Sequence, residues 1–63
     1  MGLFRIPVIA EIYHDSGKSE VKQFKSFRHA KRAILEAMFD KNSNVYGASF
    51  SLMDGKFLKE IRL

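Results

Sequence analysis

Ser26-Phe27-Arg28-His29-Ala30-Lys31-Arg32-Ala33-Ile34-Leu35-Glu36-Ala37-Met38-Phe39-Asp40 is the one segment of the chain with a helical period. Phe27, Ala30, Ile34, Ala37 and Met38 recur at spacings of three and four, which gathers them on one side of a helix. Such an apolar stripe is built to pack on something flat. Ser26 stands where an N-cap belongs, with a hydroxyl to offer the orphan amides of the first turn. The spacing predicts a helix from about Phe27 to Asp40. Lys41-Asn42-Ser43-Asn44 follows, and its asparagines suit a left-handed residue at the helix C-terminus.

On either side the sequence is strand-like and punctuated by turns. Residues 3–13 alternate Phe4, Ile6, Val8, Ala10 and Ile12 onto one face, expected to be buried, with Pro7 at a free edge or bulge. His14-Asp15-Ser16-Gly17-Lys18 turns the chain, Gly17 supplying the left-handed residue. Residues 19–24 return as an edge strand anchored by Phe24. Beyond the helix, residues 45–53 and 56–63 flank Asp54-Gly55, a strong hairpin signal. With those two as the turn, Leu52 faces Phe57, Phe50 faces Lys59, Ala48 faces Ile61 and Tyr46 faces Leu63, an almost wholly apolar face. The opposite side of the sheet then collects Arg5, Glu11, Tyr13, Ser49, Ser51, Lys56, Glu60 and Arg62. The expected fold is α+β: a ββαββ chain, an antiparallel sheet of two hairpins with one helix on one face.

Sixty-three residues suffice for one domain spanning 1–63, and 46% hydrophobic content with six phenylalanines supplies a small core. Without cysteine there is no disulfide framework or thiolate metal site, and a cytoplasmic setting is the natural expectation. No apolar run approaches the roughly 20 residues of a membrane span. Met1-Gly2 begins like a myristoylation site, but Ile6 occupies the position that needs Ser or Thr. Eleven Lys and Arg against seven Asp and Glu leave +4, a field that favours nucleic acid or acidic protein surfaces.

Catalytic chemistry finds no foothold. His14, Asp15 and Ser16 are consecutive in a turn, where side chains diverge, whereas a triad must converge. Gly17-Lys18-Ser19 copies the end of a phosphate-binding loop, but Ile12 stands where its first glycine belongs, and a strand follows. Two histidines give no zinc spacing. The reading is of a non-enzymatic protein with no cofactor or metal. Two surfaces remain. Arg28, Arg32, Leu35 and Phe39 form a row along the flank of the apolar stripe, combining the residue types enriched at binding hot spots. The open sheet face offers hydroxyls, cations and Tyr13 as a stacking group.

Residues 9–39, in which a hairpin tipped by DSGKS runs into KQFKSFRHAKRAI, resemble the N-terminal arm-site DNA-binding domain of phage-type tyrosine recombinases. The resemblance implies a sheet that enters the major groove, with Lys18, Lys22 and Lys25 approaching DNA. The chain departs from that pattern in its second hairpin after the helix. In size and organisation it resembles a complete small reading frame of the bacteriophage accessory type, whose products commonly occupy a functional surface of a host protein.

Two functions are therefore expected. In the first, a nucleic-acid-binding module contacts phosphates through Lys18, Lys22, Lys25, Arg28 and Arg32, with Tyr13 stacking. In the second, a protein-binding modulator or inhibitor uses Arg28, Arg32, Leu35 and Phe39, or an exposed strand edge. The density of positive charge from the first hairpin into the helix tips the sequence reading toward nucleic acid. A homodimer through a free edge or the helix flank serves either.

Overall fold

A computed structural model describes residues 6–62. Strands β1 (Val8–His14) and β2 (Ser19–Phe24) form the first hairpin, helix α1 (Phe27–Phe39) follows, and β3 (Val45–Leu52) and β4 (Phe57–Arg62) form the second. All four strands join one antiparallel sheet in the order β2-β1-β3-β4, so the first strands of the two hairpins pair at its centre. The expected ββαββ layout is the one observed.

The core lies between α1 and the central strands. Cross-strand neighbours share a face, and three pairs look toward the helix: Val8 with Leu52, Ala10 with Phe50, and Ile12 with Ala48. A large side chain stands beside an alanine in two of the three. The alanines give the helix room to approach, and Phe50 fills the space over Ala10 while itself fully buried. Ala30 and Ile34 are the buried residues of α1. Phe27, Ala37 and Met38 pack around them, with the Phe27 ring edge-on to Phe50 at 5.3 Å. The predicted stripe is the face that packs.

Both hairpins close by one device. His14 N–H donates to the Lys18 carbonyl and Gly17 N–H to the His14 carbonyl; Leu52, Lys56 and Gly55 repeat the pattern. Each loop has three residues and ends in a glycine at positive φ, +88° at Gly17 and +94° at Gly55. The second loop is thus Met53-Asp54-Gly55 rather than Asp54-Gly55 alone. That correction slips the register beside the turn, where Ser51 rather than Leu52 faces Phe57. An extra residue in β4 at Leu58 absorbs the slip, so Phe50 opposite Lys59 and Ala48 opposite Ile61 stand as expected. The consequence is that Phe57 turns to the side away from the helix and is exposed.

A second irregularity lies between β1 and β3, where Tyr13 faces Gly47 but His14 faces Val45. Tyr46 is the extra residue, and its ring stacks on Tyr13 on the open face. It was expected among the core residues; the bulge turns it over. Pro7 lies just before the central strand β1, outside the ladder, since its ring nitrogen has no proton to give. The expected left-handed asparagine after the helix is absent: no described residue other than glycine has positive φ. Asp40 instead leaves the helix in extended conformation, and its side chain accepts from Asn42 N–H at 2.9 Å. Phe4, Arg5 and Leu63 lie outside the described residues.

Two substitutions test this packing. Ile34→Ala should cost about 2 to 5 kcal/mol in denaturant unfolding, the range for truncating a buried isoleucine. Gly47→Ala should cost about 1 to 3 kcal/mol by overpacking, because a Cβ there would sit 2.5 Å from the Ile61 carbonyl of β4.

Candidate functional site

The outer face of α1 is the first candidate surface. Ser26 starts it: its hydroxyl accepts from His29 N–H at 3.3 Å and lies 2.8 Å from His29 Nδ1. With His29 protonated on Nε2, the Ser26 O–H donates to Nδ1, so a buried serine is satisfied in both roles. His29 is thereby occupied in capping. From this start the row Arg28, Arg32, Leu35, Phe39 runs along the solvent side at spacings of four, three and four, a ridge of roughly 16 Å at 1.5 Å per residue. Lys31, Glu36 and Asp40 complete an open groove along it.

Phe39 is 79% exposed, the most exposed large apolar side chain among the described residues, and Leu35 is half-buried. Neither belongs to the core cluster. The charges along this face are arranged against the helix dipole. There is no acidic residue in the first turn and no basic one in the last; Lys25 and Arg28 stand at the positive end and Asp40 at the negative end. Each such charge costs about 0.3 to 1 kcal/mol at an exposed terminus. Arg32 finds Glu36 at 3.7 Å, a fully solvated pair that fixes little. Arg28 and Lys31 have no carboxylate within 4 Å among the described residues.

The other predicted cations are spread out. Lys18 precedes β2 and Lys25 follows it, so about 20 Å of strand separates them at roughly 3.3 Å per residue. Lys22 is level with Ala10, on the helix side of the edge strand. Tyr13 lies on the far side of the sheet, because odd-numbered positions of β1 face away from the helix. Lys22, Arg28 and Arg32 are thus on the helix layer, and the proposed stacking group is not with them.

The open sheet face is the second candidate. Ile9, Ser51 and Phe57 form one row across it, Glu11, Ser49 and Glu60 the next, and Tyr13, Gly47 and Arg62 the third. Gly47 leaves a gap over β3, and through it the Arg62 guanidinium reaches within 5.8 Å of the Tyr13 ring centroid. Tyr13 stacks on Tyr46 with centroids 6.1 Å apart and its hydroxyl donates to Glu11 at 3.3 Å. Desolvation, and then the Glu11 carboxylate, hold its phenol above the ordinary value. Arg62 is paired with Glu60 at 2.6 Å. On this face Glu60 holds Arg62, and Glu11 accepts from the Tyr13 hydroxyl. Sequence reasoning missed Tyr46 and Gly47 here; a glycine inside a strand was the available signal, since it marks a bulge or close approach.

His14 is engaged by Glu20 at 3.2 Å, and Asp15 N–H donates to the Asn44 carbonyl. No group of three or more potential metal-ligating side chains occurs among the described residues, and none of their helices is long and apolar enough to cross a membrane. No family model, curated protein or solved structure matches the chain.

The cap makes a prediction of its own. Ser26→Ala should lower stability by about 1 kcal/mol, the usual cost of losing an N-cap hydroxyl, while Ser26→Asp should retain most of it. Denaturant midpoints of the two variants check this.

Proposed function

We propose that the chain is a protein-binding module, a small modulator that docks the outer face of α1 on an acidic, apolar-pocketed surface of another protein. The observation that carries this reading is the exposure of Phe39 at 79% in line with Leu35, Arg32 and Arg28. A six-phenylalanine domain of this size gains by burying every ring it can. A ring left on the solvent side of the helix has the character of an anchor for a partner's pocket. The helix charges support the same surface. Arg28 and Lys31 add to the positive end of the dipole, so an acidic partner gains where the free helix is penalised. Glu36 and Asp40 border the same groove, which suits a mosaic protein surface better than a run of phosphates.

The reversed charge order of α1 also favours a second reading, in which Lys22, Lys25, Arg28 and Arg32 bind a nucleic-acid backbone. The two readings differ in their dependence on Phe39 and on salt. For a protein partner, Phe39→Ala should cost about 2 kcal/mol or more of affinity with the fold intact, and binding should persist from about 50 to 200 mM salt. For nucleic acid, Arg28→Ala with Arg32→Ala should flatten the salt slope by about one unit for each phosphate no longer neutralised, and Phe39→Ala should leave binding unchanged. Tagged protein used as bait with and without nuclease, beside its Phe39→Ala variant, decides. A nuclease-resistant partner that fails to bind the Phe39→Ala variant supports the proposal. Nuclease-sensitive retention that ignores Phe39 overturns it.

A further inference from the structure

Strand β4 is an edge of the sheet, and α1 packs on β1, β2 and β3 but not on β4. No described residue pairs with its outer backbone groups, Phe57 and Leu58 are exposed, and Ile61 is only partly covered on the helix side. Such an edge invites another strand. We propose that it pairs antiparallel with β4 of a second copy of this chain, about a two-fold axis at Ile61.

The occupant follows from parity and charge. A two-fold axis normal to the sheet keeps helix side with helix side, so facing positions must share a face. Along β4 the residues Lys59 and Ile61 face the helix side, opposite Phe50 and Ala48, while Glu60 and Arg62 face the open side, opposite Ser49 and Gly47. Centred on Glu60, the pairing sets two carboxylates against each other. Centred on Lys59, it sets two ammonium groups together and brings Phe57, on the open side, level with Ile61, on the helix side. Centred on Ile61, it places Glu60 opposite the partner's Arg62 twice over, with the two isoleucines in contact beneath. Glu60 and Arg62 are already paired within one chain, so the dimer extends that pair into an alternating ring of four charges. The other edge, β2, can match Glu20 with Lys22 in the same manner, but its axis falls at Val21 on the open face, away from the core that Ile61 borders, and its Glu20 is held by His14. The joined sheet has eight strands and leaves the outer row of each helix free. This assignment therefore stands apart from the docking role of α1.

Centred on Ile61, the paired stretch among the described residues runs only from Glu60 to Arg62, which buries far less than the roughly 1,200 Å² of a standard interface, so the association should be weak and concentration-dependent. Sedimentation equilibrium from about 10 μM to about 1 mM should show the mass rising from one chain toward two. Glu60→Arg should weaken the dimer about tenfold or more, by setting the introduced guanidinium against the partner's Arg62 across the axis. The exchange Glu60→Arg with Arg62→Glu should restore it, and Val21→Lys should leave it unchanged. Amide exchange should slow between Glu60 and Arg62, and not along β2, as concentration rises. A monomer throughout the range overturns the proposal. So does a dimer indifferent to Glu60→Arg, or one abolished by Val21→Lys, or added protection confined to β2.

Discussion

Everything in this small domain depends on how closely α1 can approach two central strands. Ala10, Ala30 and Ala48 are completely buried at that contact, and Phe50, Ile34 and Val8 are the large side chains that fill it. Alanine removes bulk where helix and sheet come nearest. Phenylalanine beside it restores the missing volume, so the layer closes at interior density. The arrangement also fixes chain order in space. β1 and β3 must be central because they carry the alternating apolar pattern, and β2 and β4, which lack it, are left at the edges. One helix of 13 residues cannot cover four strands, and β4 borders the core through the partly buried Ile61.

Where sequence periodicity and burial coincide, the fold was legible. The stripe from Phe27 to Met38 and the alternation of Val8, Ala10 and Ile12 each admit a single arrangement. The misplaced aromatic side chains share one physical cause. A bulge inserts a residue without changing composition, and every side chain on one side of it changes face. Leu58 and Tyr46 are the inserted residues, and they turned Phe57 and Tyr46 out of the expected core. The turn at Met53-Asp54-Gly55 belongs to the same error, because an Asp-Gly pair fits a two-residue loop and the end of a three-residue one equally well.

The candidate site was legible in part, for a related reason. The row of Arg28, Arg32, Leu35 and Phe39 follows from helical spacing alone. Whether Phe39 was core or surface depended on how far the sheet extends beneath it, which no local pattern records. The set expected to share one nucleic-acid surface is divided by the layers, with Lys22, Arg28 and Arg32 on the helix side and Tyr13 on the other. Tyr13 belongs to the open face with Tyr46, Glu11 and Arg62, where Glu60 holds Arg62 and the Tyr13 hydroxyl donates to Glu11. Of the α1 cations Arg28, Lys31 and Arg32, only Arg32 has a carboxylate within 4 Å among the described residues, and the charge order runs against the helix dipole. That mismatch, with an exposed ring at its end, distinguishes the helix from the sheet as the surface left for something else.

The central claim is that the outer face of α1, and Phe39 in it, meets a protein. It is tested most directly by placing a photo-crosslinking phenylalanine analogue at position 39, and separately at position 21 on the open sheet face, and irradiating each in a cell lysate. The account predicts one discrete protein adduct from position 39, resistant to nuclease, and none at the same mass from position 21. An adduct formed equally from both positions, or one removed by nuclease, would contradict it.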